Sequence, residues 1–158
     1  MRVVNIHRRK INEPIEKVSC LLKTLSTKDD AIWPYEQWPA IRFEDGIKVG
    51  SKGGHGRIRY KIIDNNNQGI TFQFISPEGF VGTHQLAINS IHENKTEIIH
   101  EIKMTTYKKA TLLWLIVIRW LHDALIEDAF DKVESYYSLE KKITPYNLWV
   151  RVLRFLYK

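Results

Sequence analysis

From Ile41 to Thr106 the apolar residues recur at every second position, and from Tyr107 to about Ser138 at every third or fourth. The first period belongs to strands with one apolar and one wet face, the second to an amphipathic helix. Ile58, Tyr60 and Ile62 alternate with Arg57, Arg59 and Lys61. Ile70, Phe72 and Phe74 alternate with Thr71 and Gln73. His84, Leu86 and Ile88 follow the same rule, as do Ile98, His100, Ile102 and Met104. Asp64 to Gly69, Ser76 to Gly79 and His92 to Lys95 carry turn residues between them, so the segment reads as antiparallel hairpins. Trp114, Ile118, Leu121, Leu125, Ala129, Val133 and Tyr136 then form one stripe on a long helix. At about 100° per residue, Asp123, Glu127 and Glu134 fall opposite that stripe and are expected to face water.

Ahead of the hairpins, Val3 to Ile11 reads as a first strand. Asn12-Glu13-Pro14 signals a helix start, and Ile15, Val18, Leu21, Leu22 and Leu25 give a first helix ending near Ser26. Trp33-Pro34 and Trp38-Pro39 frame an irregular stretch. Strand, helix, meander, long helix is an α+β order, with the last helix lying on a curved antiparallel sheet. Thr144-Pro145 is a further cap signal. Beyond it Leu148, Trp149, Val152, Phe155 and Leu156 share one side of a short helix, and Arg151, Arg154 and Lys158 the other. The expected division is a ligand-binding domain over 1–138 and a basic amphipathic helical extension over 139–158.

The net charge of +6 is concentrated in that extension, which holds +4 and leaves +2 for the rest. A nearly neutral main domain argues against a nucleic-acid partner. Cys20 is the single cysteine, so the fold holds no internal disulfide, and a reducing, cytoplasmic location is expected. The longest apolar run, Leu112 to Ile118, is far shorter than the roughly 20 residues of a membrane span, so a soluble protein is expected.

This order resembles that of the SRPBCC superfamily, which includes START domains and polyketide cyclase/dehydrase-like proteins, over about residues 3–138. The segments that carry the resemblance are the Ile11 to Val18 helix entry, the meander and the long last helix. Gly53 to Tyr60, Pro77 to His84 and Arg119 to Leu125 look characteristic of one uncharacterised branch. The resemblance implies a helix-grip fold, a curved antiparallel sheet wrapped around the last helix, with a deep cavity between them. It implies apolar ligands such as lipids or polyketide-like metabolites, and no cofactor.

His84 and His100 share strand faces with apolar residues, and a hairpin centred near Asn94 would set Ile88 opposite His100. His122 lies about 40° from Ile118, at the edge of the helical stripe. These three histidines can be separately satisfied core residues, polar anchors or a general base in an apolar pocket, or metal ligands. No ligand spacing supports the metal, and none is expected. Tyr60, Phe72, Phe74 and Trp114 join them on inner faces, either as plain core or as cavity wall, and Ile118 sits beside Trp114. The expected ligand-binding set is therefore Tyr60, Phe72, Phe74, His84, His100, Trp114, Ile118 and His122, with Tyr60 the best-placed polar group among the aromatics.

His122 and Asp123 are neighbours on a helix and should point about 100° apart, which argues against a catalytic pair. Arg119 is spaced to pair with Asp123. Gly50 to Gly56 lacks the Gly-Lys-Ser/Thr ending of a phosphate loop, so its glycines suit a bulge or tight turn, with His55 near a cavity rim as a weaker alternative. Leu113, Ile116, Val117 and Trp120 fall on the flank and back of the long helix and need a cover. The tail helix can supply it within the chain or in a homodimer, or both patches can meet a membrane, where Arg151, Arg154 and Lys158 suit anionic headgroups. The expected function is carriage, sequestration or sensing of a small hydrophobic molecule. The alternative is a cyclase or dehydratase using a cavity histidine as acid or base.

Overall fold

The computed structural model describes residues 1–157. Its strands are β1 (Arg2–Ile11), β2 (Arg42–Phe43), β3 (Lys52–His55), β4 (Ile58–Asn66), β5 (Gly69–Ser76), β6 (Phe80–His92) and β7 (Lys95–Thr106). They form one antiparallel sheet in the order β1-β7-β6-β5-β4-β3-β2. Helix α1 (Ile15–Leu22) follows β1 and buries Val18, Leu21 and Leu22. It stops at Leu22 rather than near Ser26, because the chain turns there and Ser26 takes a positive φ of 67°.

The β6–β7 hairpin pairs Leu86, not Ile88, with His100, and Ile88 with Ile98. An irregularity between Ser90 and His92 shifts the register, but by an even offset in the body of the hairpin, so His84 and His100 still share a face. The glycine run holds a short strand that periodicity did not reveal. A Cβ on Gly53 would stand 2.1 Å from the Arg42 carbonyl oxygen, so the approach of β2 to β3 requires glycine there.

The last helix has three parts: α2 (Lys109–Leu113), a π-helical turn (Trp114–Ile118) and α3 (Arg119–Tyr137). The widened turn frees carbonyl groups, and two indoles use them. Trp120 Nε1 donates to the Leu115 carbonyl at 3.1 Å and Trp149 Nε1 to the Ile116 carbonyl at 2.9 Å. Val117 turns toward the interior, whereas Tyr136 is exposed and Tyr137 instead reaches the Lys17 carbonyl at 3.0 Å.

Helix α4 (Leu148–Leu156) is capped by Asn147, whose side chain accepts from Val150 N at 2.9 Å, rather than by Thr144. It folds back on its own chain but buries Val150 and Leu153. The expected apolar side, Leu148, Trp149, Val152, Phe155 and Leu156, stays largely exposed. Arg154 turns inward instead: its guanidinium lies over Trp38, and it donates to the Tyr146 hydroxyl and the Gln37 carbonyl. Lys158 lies outside the described residues.

Buried side chains collect at two ends of the grip. One cluster joins α1, the middle strands and the C-terminal half of α3 through Leu21, Ile62, Ile88, Phe130 and Val133. The other joins Val3, Phe80, Met104, Ala110 and Trp114. Packing closes the grip at both ends, and the space between them is where a site can form.

Candidate functional site

A cavity of about 770 Å³ occupies that space. Phe74, His84 and Ile102 line it from the sheet, and Trp114, Ile118, Leu121 and Leu125 from the helix. Leu156 and Tyr157 at the end of α4 and exposed Arg57 rim its mouth. The size is that of a small-molecule pocket, and the wall is predominantly apolar.

Seven of the eight expected residues stand on this wall: Tyr60, Phe74, His84, His100, Trp114, Ile118 and His122. Phe72 does not. It is buried behind the wall, stacked on His84 with ring centres 4.7 Å apart and on Phe43 at 5.8 Å. The β4–β5 register sets Phe74 opposite Tyr60 and Phe72 opposite Ile62, deeper in the filled core. Tyr60 is fully buried and its hydroxyl is already engaged by His55 Nδ1 at 3.0 Å, so it is a poor polar anchor.

Five of the six histidines form one row. It runs from His55 through Tyr60 to His84, from His84 to His100 with nitrogens 3.4 Å apart, then to His122 with ring centres 4.9 Å apart, and on to His7 at 5.8 Å. The Nε2 atoms of His84 and His122 and Nδ1 of His100 are buried without a protein partner. Burial, reinforced by charge repulsion within the row, depresses the basicity of His84 and His100 well below the usual imidazole range and brings His55 to about 3. Burial also lowers His122, against the pull of Asp123. The cavity histidines are therefore neutral at pH 7.

His7 is the opposite case. Burial works against its charge, but hydrogen bonds from its ring to Asp123 (3.1 Å) and Glu127 (2.7 Å) prevail and raise it to about 9. It belongs to a polar row that sequence reasoning missed. Asn5, His7 and Arg9 point from β1 toward α3, while Val4 and Ile6 face solvent. Asn5 donates to Asp123 at 2.9 Å, and Arg9 holds Glu127, Asp131 and Glu134 at 2.7–2.9 Å. The spacing explains the match. Two strand residues advance about 6.8 Å and four helical residues about 6 Å, so positions 5, 7 and 9 meet 123, 127 and 131. Asp123, Glu127 and Glu134 therefore face the edge strand and not open water. Asp128 is also buried, holding Trp38 Nε1 at 2.6 Å and the Tyr146 hydroxyl.

Asp123 also lies 3.5 Å from His122 Nδ1, so the two helical neighbours do meet, at the limit of a hydrogen bond. Although burial opposes its charge, donors from His122, His7 and Asn5 hold the Asp123 carboxyl well below the usual range. Arg119 makes the expected contact with Asp123 at 3.8 Å. The atoms of His7, His122 and Asp123 lie within 4.8 Å of one another, the reach of a metal site. However, both nitrogens of His7 are already committed to carboxylates, so His7 has no nitrogen free for a metal.

No protein-family model and no curated protein matches the sequence. Solved structures do match its shape. A protein from Nitrosospira multiformis superposes with a TM-score of 0.66 at 10% identity, over 87% of this chain and 97% of its own. Norcoclaurine synthase from Thalictrum flavum, in complex with dopamine and hydroxybenzaldehyde, gives 0.65 at 11% identity, over 89% and 90%. The chain has the helix-grip fold. The di-domain ARO/CYC StfQ from the steffimycin biosynthetic pathway gives 0.61 at 10% identity, over 86% of this chain and 50% of that one. In this chain the space between the sheet and the last helix is the cavity of the histidine row.

Proposed function

We propose that this helix-grip protein binds a small hydrophobic molecule, such as a lipid or polyketide-like metabolite, in order to carry, sequester or sense it. The observation that carries the reading is the 770 Å³ cavity, walled mainly by apolar and aromatic groups and by histidines that stay neutral. Burying an apolar ligand there gains about 25 cal/mol per Å² of apolar surface removed from water. His55 and His122, both incompletely buried on the wall, are the groups available to a polar end of the ligand. The exposed thiol of Cys20 suits a reducing compartment such as the cytoplasm.

A dansyl-labelled fatty acid tests the reading. It should bind the wild-type chain with saturable fluorescence enhancement, and Ile118→Trp, which fills the cavity from the helix side, should weaken it at least tenfold. Equal binding by both would refute an internal site.

One contact favours an enzymatic second reading, acid–base chemistry of cyclase or dehydratase type. Asp123 beside His122 Nδ1 is the arrangement that orients a histidine base. Norcoclaurine synthase and StfQ share the fold and lend the reading context. Replacing His84 and His122 by Gln separates the two: a carrier loses only affinity, whereas an enzyme loses turnover.

A further inference from the structure

The outward side of the last helix and of α4 is an apolar face that none of the described residues covers. Leu112, Leu115 and Ile116 are 44–60% exposed around the π turn, and Phe155 and Leu156 of α4 are 80% and 65% exposed. The indole of Trp149, bonded to the Ile116 carbonyl, joins the two parts into one surface. Leu156 also rims the cavity, so the face runs up to the cavity mouth. A contiguous apolar patch of this kind marks an interaction site.

Charge selects the occupant. Residues 102–122 and 141–158 carry nine of the 24 Lys and Arg and none of the 18 Asp and Glu. Lys103, Arg119 and Lys142 pair with Glu101, Asp123 and Glu134, whereas exposed Lys108, Lys109, Lys141 and Arg151 make no ion pair among the described residues. Lys108, Lys109 and Arg119 bracket the apolar run of the long helix, and exposed Arg151 projects from α4. A two-fold contact with a second copy would bring these cations against their own images, with no carboxylate in either segment to neutralise them. An anionic bilayer complements both properties. Headgroups meet the cations, and Leu115, Phe155 and the Trp149 and Tyr157 rings enter the interface.

We propose that this face docks on anionic membranes and presents the cavity mouth to the bilayer, so that the ligand is a membrane-derived lipid. The origin of the ligand rests on the binding reading above, while the docking surface stands on its own residues. The α4 face, which would be wasted as an internal cover, is thereby used.

Cosedimentation of the full chain with vesicles tests it. Phosphatidylcholine vesicles are compared with vesicles containing 30% phosphatidylserine, and each protein is also solvent-extracted for co-purifying lipid. Binding is expected only with phosphatidylserine and should fade at high salt. Arg151→Ala should reduce partitioning about fivefold. Phe155→Ser, on an exposed side chain, should reduce it about tenfold or more without unfolding. Equal binding to both vesicles, or none together with a dimer broken by Phe155→Ser, would overturn the proposal. If sedimentation fails while extracts still contain lipid, docking falls and cavity binding stands. If sedimentation succeeds while extracts are empty, docking stands and lipid loading falls.

Discussion

Stability should peak near pH 6.5 to 7 and fall on both sides, because the histidine row is tuned in two opposite directions. An unfolded imidazole titrates near 6.5. His55, His84 and His100 are held neutral in the fold, so below pH 6.5 the unfolded chain binds protons that the folded chain refuses. At pH 5.5 each such group costs about 1.4 kcal/mol, so the three together cost about 4 kcal/mol, a large part of a domain's usual stability. His7 has the opposite sign. Raised to about 9, it stabilises fully below 6.5 and loses that contribution as pH rises toward 9, up to about 3 kcal/mol before solvent screening. Asp123, held low, adds to the acid limb only below its unfolded value of about 3.9. Urea unfolding at pH 5.5, 6.5, 7.5 and 8.5 measures both limbs. His7→Gln should flatten the alkaline limb, and His84→Gln the acid limb. Stability that is flat from pH 7 to 5.5 would refute the neutral row.

The zipper between β1 and α3 predicts that Arg9→Ala costs about 2–4 kcal/mol, read by thermal or urea denaturation, since it strands buried Asp131. Gly53→Ala should destabilise through its collision with the Arg42 carbonyl and should detach β2, seen as faster amide exchange at Arg42 and Phe43. Trp149→Phe keeps the ring but removes the donor to the Ile116 carbonyl. It should cost about 1 kcal/mol and loosen α4, measurable by proteolysis of the tail.

The fold was legible because two hydrophobic periods dominate it, and Tyr60, His84, Ile102 and Leu125 could be placed on inner faces from alternation or helical phase alone. Errors arose at local irregularities and at element ends. At the π turn Val117 points inward, at the end of α3 Tyr137 and not Tyr136 continues the stripe from Val133, and α4 docked on Val150 and Leu153 because Arg154 found Trp38 and Tyr146 to lie against. The inward row of Asn5, His7 and Arg9 was hidden because β1 carries apolar residues on both faces, Val3 and Ile11 inward and Val4 and Ile6 outward. Its one sequence signal was the match of acids four apart at 123, 127 and 131 to polar residues two apart on β1. Phe72 could not be told from Phe74 by alternation, since both lie on the same strand face and only the depth of the cavity separates them.

The most direct test of an occupied grip is native mass spectrometry of the protein purified from its host, with solvent extraction and identification of any bound molecule. The account predicts a stoichiometric hydrophobic adduct that is lost in Ile118→Trp. A wild-type protein that is consistently empty, and takes up no lipid when incubated with anionic vesicles, would contradict it.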